Sequence, residues 1–83
     1  MATILVVDDQ RNMRTTLSLV LRSAGHEVAE AADGDEACAK VEAQSFDLVL
    51  TDLKMGAKDG IAVLRHVKDV SPLTEVVVMT AYG

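Results

Sequence analysis

The chain has 83 residues, 49% apolar and 25% charged, with a net charge of −5. That length holds at most one domain with a thin core, and the apolar share excludes a disordered chain. The acidic balance argues against direct nucleic-acid binding, which needs clustered Lys and Arg, and no apolar stretch reaches the ~20 residues of a membrane helix. A single cysteine, Cys38, leaves no internal disulfide. The N-terminus lacks the basic start and long apolar run of a signal peptide, so a cytoplasmic location is expected. Aromatic residues make up 2% of the chain, so the core must be aliphatic, which suits a buried parallel sheet.

Residues 4–7 form a short β-branched apolar run and are read as a buried strand. Asp8, Asp9 and Gln10 supply helix-start chemistry. Met13, Leu17, Val20, Leu21 and Ala24 then recur on one helical face, with Gly25 as the C-terminal stop. Residues 27–31 suggest a weaker second strand, and Asp33-Gly34 a turn. A second helix is expected over residues 35–43, with Ala37 and Val41 facing inward. The run Leu48-Val49-Leu50 marks a third strand ending at Asp52. Residues 56–60 read as a loop, and Val63, Val67 and Val70 mark a third helix stopped before Pro72. Residues 76–79 are a fourth buried strand, followed by Thr80.

The order β-α-β-α-β-α-β implies an α/β fold, a flavodoxin-like doubly wound parallel sheet with right-handed crossovers. Such a sheet binds its ligands beyond the carboxyl ends of its strands. Asp8, Asp9, Asp52 and Thr80 all fall at strand ends and should converge there. Like charges ~4 Å apart repel by about 4 kcal/mol at an effective dielectric near 20. A shared proton or a divalent cation would offset that repulsion, and Mg2+ suits an all-oxygen site. A carboxylate beside Mg2+ is a competent nucleophile toward phosphorus, and a threonine hydroxyl can donate to a phosphoryl oxygen.

In these motifs the chain resembles the receiver domain of bacterial two-component response regulators. They are residues 4–9 (Ile-Leu-Val-Val-Asp-Asp), residues 47–55 (Asp-Leu-Val-Leu-Thr-Asp-Leu-Lys-Met), Gly60, and residues 76–81 (Val-Val-Val-Met-Thr-Ala). The resemblance runs in order along the whole chain, so residues 1–83 read as the N-terminal part of a single receiver domain. It implies that Asp52 accepts a phosphoryl group from a sensor histidine kinase, with Mg2+ held by Asp8, Asp9, Asp52 and the Lys54 backbone carbonyl. Thr80 resembles the switch hydroxyl. Beyond self-phosphorylation and self-dephosphorylation, no enzyme activity is implied. The ending from Met79 to Gly83 is similar to receivers of the nitrogen-regulator type, which precede an AAA+ domain and a DNA-binding domain.

Two departures accompany the resemblance. The family's usual proline four residues after the acceptor is Gly56 here, which implies a more mobile loop. The fourth helix, fifth strand and fifth helix do not follow the fourth strand, and the family's phosphate-binding lysine and switch aromatic would lie there. The outer edge of the fourth strand is then expected to recruit a second copy. The alternative function is therefore a non-signalling assembly module. An aspartyl-nucleophile hydrolase ranks last, because its second acid would stand where Lys54 stands. His26 and His66 read as surface histidines, Cys38 as a small buried hydrophobe, and Lys58 and Asp59 as solvated loop charges.

Overall fold

The computed structural model describes residues 1–56 and 58–79. In chain order they form β1 (Thr3–Val7), α1 (Arg11–Ser23), β2 (Glu27–Ala31), α2 (Gly34–Ala43), β3 (Leu48–Asp52), α3 (Gly60–Val70) and β4 (Glu75–Met79). The strands make one parallel sheet in the order β2-β1-β3-β4. The flavodoxin-like arrangement expected from the alternating pattern is therefore present through β4.

β1 is central and nearly continuous in buried aliphatic residues, as a strand covered on both faces requires. Leu5 and Val7 join Ala37, Val41, Val49, Met55, Val63 and Val67 in the core under α2 and α3. Ile4 and Val6 alternate to the other face, where α1 packs over β1 and β2. The chain thus reverses its winding direction between β1 and β3. The register pairs Val7 with both Ala31 and Thr51, so β1 and β3 end at the same level. Asp8 and Asp52 flank that switch point, where open α/β sheets place their sites.

Local chemistry sets the helix boundaries. Gly25, at φ +94°, closes α1: its N–H donates to the Arg22 carbonyl and the His26 N–H to that of Leu21. Asp33 caps α2 by accepting from the Glu36 N–H at 2.8 Å, so Asp33-Gly34 begins the helix rather than forming a separate turn. Asp59 caps α3 by accepting from the Ala62 N–H at 2.9 Å. It is therefore a structural residue, not only a solvated loop charge.

The apolar faces of α1 and α3 are only partly covered. On α1, Met13 and Val20 are 49% and 60% exposed and Ala24 is exposed, while Ser18 is buried. The stripe that meets the sheet runs through Arg14, Leu17, Ser18 and Leu21, rotated from the most apolar stripe. Hydrophobic periodicity reports an apolar stripe, but the helix's seat on β1 and β2 decides which residues are covered. On α3, Val63 and Val67 are fully buried, whereas Val70 is 44% exposed at the helix end.

Candidate functional site

The turn between β1 and α1 carries two of the three expected acids. Asp8 follows β1 directly and is buried, 4% exposed. Its backbone N–H donates to the Ala31 carbonyl at 3.1 Å, and its Oδ1 accepts from the Gln10 N–H at 2.8 Å. Asp9 is exposed, and the N-cap of α1 is Gln10, so Asp9 does not serve as the helix cap. Asp52 closes β3 and is half-buried.

One carboxylate oxygen from each of Asp8, Asp9 and Asp52 lies within 4.8 Å of the others. Burial pushes the Asp8 carboxyl above its ordinary range; the Gln10 N–H opposes this, the charges of Asp52 and Asp9 add to it, and Arg14 counters it. A buried acid facing two others gains from a divalent cation, and hard carboxylate oxygens at this spacing fit an oxygen-seeking ion of the Mg2+ type. The donor set therefore suits the expected metal. Lys54 is exposed and lies two residues past Asp52. Thr80, expected to complete the site, lies outside the described residues.

The connection after Asp52 is held close to the site. Leu53 donates its N–H to the Met79 carbonyl at 2.8 Å, and Gly60 donates to that of Leu53 at 2.8 Å. A Cβ on Gly34 would fall 2.8 Å from the Lys58 carbonyl oxygen, so α2 and this connection meet only because residue 34 has no side chain. Gly56 sits at φ +59°, a left-handed conformation open to glycine and closed to proline. A cleft of about 270 Å³ lies beside the acids, lined by Asp9, Asp33, Gly34, Asp35, Met55, Gly56 and Lys58.

Sequence reasoning missed several of these contacts. Lys58 is not simply solvated: its Nζ pairs with Asp35 at 3.0 Å and lies 3.9 Å from the Cys38 sulfur. The hydrogen bond to Asp35 raises the Lys58 ammonium above its ordinary value, while burial raises the Cys38 thiol. Cys38 is buried, as expected. His66 faces Glu42 at 2.9 Å, joining α3 to α2, and His26 Nδ1 accepts from the Ala2 N–H at 3.0 Å. Neither histidine follows the carboxyl end of a strand, consistent with their exclusion from the site.

The family model for the response regulator receiver domain matches residues 4–83. The chain is 47% identical over 80 residues to the transcriptional regulatory protein ZraR of Escherichia coli, covering 96% of this chain and 18% of ZraR. It is 40% identical to sporulation initiation phosphotransferase F of Bacillus subtilis, covering 96% of this chain and 64% of that protein. Among solved structures, the response regulator TrrA of Thermotoga maritima, in complex with Mg2+ and BeF, superposes with a TM-score of 0.93 at 34% identity, over 100% of this chain and 72% of TrrA. NtrX of Brucella abortus, in complex with ATP, superposes at 0.92 with 34% identity, over 99% of this chain and 19% of NtrX. The chain thus spans under a fifth of ZraR and NtrX and about two-thirds to three-quarters of the shorter relatives. A fold wound to bring three acids to one switch point, with a family match along nearly its whole length, makes this chain a member of the response regulator receiver domain family of two-component signalling.

Proposed function

We propose that residues 1–83 are the N-terminal part of a single receiver domain whose phosphoryl acceptor is Asp52. The observation that carries this is the convergence of Asp8, Asp9 and Asp52 at the β1/β3 switch point. In this reading Asp8, Asp9, Asp52 and the Lys54 carbonyl hold Mg2+, and a sensor histidine kinase is the phosphoryl donor. A bound Mg2+ supplies charge compensation for the transferring group. The chain's own part is to present the Asp52 carboxylate to phosphorus and hold Asp8 and Asp9 beside it. Thr80 is proposed as the hydroxyl that meets the new phosphoryl oxygens. The domain acts as a phosphoacceptor in the cytoplasm rather than as an enzyme on other substrates. Its effector is proposed to be an AAA+ and DNA-binding assembly of the nitrogen-regulator type, in keeping with the likeness to ZraR and NtrX.

Acetyl phosphate with Mg2+, read by intact mass, tests the acceptor. A phosphoryl mass increment that disappears in Asp52→Asn is expected; an increment that survives this substitution would exclude Asp52.

A specific observation supports the second reading, self-association. Among the described residues no strand pairs with the outer edge of β4, and Val77 in its centre is 47% exposed. An open apolar edge is a template for another strand, and a second copy of this 83-residue chain is the proposed occupant. Sedimentation should show dimers or larger species that Val77→Lys reduces; a monodisperse wild-type monomer would reject this reading.

A further inference from the structure

Asp8 is held at its N–H by Ala31 and at its carboxylate by the Gln10 N–H. Its third anchor comes from α1: Arg14 Nη1 donates to the Asp8 carbonyl oxygen at 2.8 Å. The same guanidinium donates through Nε to Glu30 Oε1 at 3.2 Å, and its side chain is only 17% exposed. One side chain on α1 therefore ties the end of β1 to β2.

The Asp8 carbonyl belongs to the peptide plane that joins Asp8 to Asp9. Because that unit is rigid, gripping its oxygen sets the direction in which both residues leave the turn. Two of the three clustered carboxylates depend on this single plane. The guanidinium also brings a positive charge near Asp8 while its hydrogen bonds go to a backbone carbonyl and Glu30 rather than to the clustered carboxylates. A lysine does not reproduce this, because its single ammonium lacks the planar fork that reaches one acceptor after β1 and another on β2.

We propose that Arg14 is a positioning residue for cation binding, acting through the Asp8–Asp9 peptide rather than by touching the ion. The proposal rests on the reading of Asp8 and Asp9 as metal-holding residues. Arg22 supplies an internal control. It lies on the same helix, approaches the same Glu30 at 3.7 Å and donates to the Val28 carbonyl at 3.0 Å, but has no bond to the Asp8–Asp9 turn. Arg14→Met and Arg22→Met change net charge equally and each removes a guanidinium from Glu30.

Calorimetric titration of the 83-residue chain with Mg2+ alone tests this, alongside urea unfolding of each variant. Arg14→Met is expected to weaken Mg2+ binding about tenfold or more, the size typical of losing a group that orients a ligand. Arg22→Met should stay within about twofold of wild type even where its unfolding midpoint falls as far. Arg14→Lys, which keeps the charge but not the fork, should lose roughly threefold or more, and it decides the matter if Arg14→Met does not fold. Wild-type affinity in Arg14→Lys, or an equal loss in Arg14→Met and Arg22→Met, would overturn the role of Arg14. Absence of Mg2+ binding by the wild type would instead overturn the reading of Asp8 and Asp9, and the inference with it.

Discussion

Gly60 approaches Asp52 so closely that a Cβ on Gly60 would lie 2.5 Å from the Asp52 carbonyl oxygen and 3.0 Å from the Leu53 Cα. The first residue of α3 therefore packs directly on the backbone of the proposed acceptor. Both obstructing atoms belong to the main chain, which cannot swing aside like the end of a flexible side chain. Gly60→Ala should destabilise the fold by about 1–3 kcal/mol, the usual cost of overpacking. It should also slow phosphoryl acceptance, because the displaced backbone is that of Asp52. Urea unfolding and the acetyl phosphate reaction check the two effects separately.

Asp8 makes metal-free stability depend on pH. Its folded carboxyl lies above the ordinary 3.8, chiefly through burial, so the folded chain binds this proton more tightly than the unfolded chain. The resulting stabilisation is fully present below 3.8 and is lost as pH rises through the folded value. Asp8→Asn removes that loss while keeping an acceptor for the Gln10 N–H. In EDTA at pH 7 it should be more stable than wild type, with the difference shrinking as pH falls toward 3.8. Adding Mg2+ should reverse the order, since about 100-fold excess over the dissociation constant stabilises a binding chain by about 2.7 kcal/mol. Unfolding curves across this pH range, with and without Mg2+, measure both.

Gly56 gives the β3–α3 connection a conformation of its own. At φ +59° an alanine is strained, and a proline, locked near −65°, cannot fit without rebuilding the turn. Gly56→Pro, which restores the residue usual in this family, should therefore destabilise by more than the ~1 kcal/mol that it gains at a compatible site. Gly56→Ala should also destabilise, by a smaller amount. Chemical denaturation of the two variants tests this ordering.

Asp59 caps α3 immediately before Gly60. Asp59→Ala should cost about 1 kcal/mol, the usual loss for an N-cap acid. Asp59→Asn or Asp59→Ser should recover most of it, because those side chains also accept from the Ala62 N–H. A simple solvated charge would show neither the loss nor the recovery by thermal denaturation.

Which features were legible in the sequence follows the range of the interactions involved. Residues 4–7 and 48–50 announced buried strands because a strand covered on both faces needs an unbroken aliphatic run. The acids at the ends of those runs were visible for the same reason. Asp59 was hidden although its bond is only three residues long, since an acid in a Gly-rich loop can be a cap or merely solvated. The α1 stripe was legible as a helix face, but period alone cannot say which of its residues are covered: Met13 and Val20 are exposed and Ser18 is buried.

By itself, the sequence determined the alternation of strands and helices, and with it the placement of Asp8, Asp9 and Asp52 at carboxyl ends on one edge of a parallel sheet. Period and short-range turn chemistry suffice for that. Only the tertiary structure decided that Arg14 grips the Asp8 carbonyl, that Lys58 meets Asp35, and that Gly34 and Gly60 must lack side chains. Each of these depends on the distance between segments separated along the chain. That distance is set by sheet order and helix seating, and no local pattern encodes it.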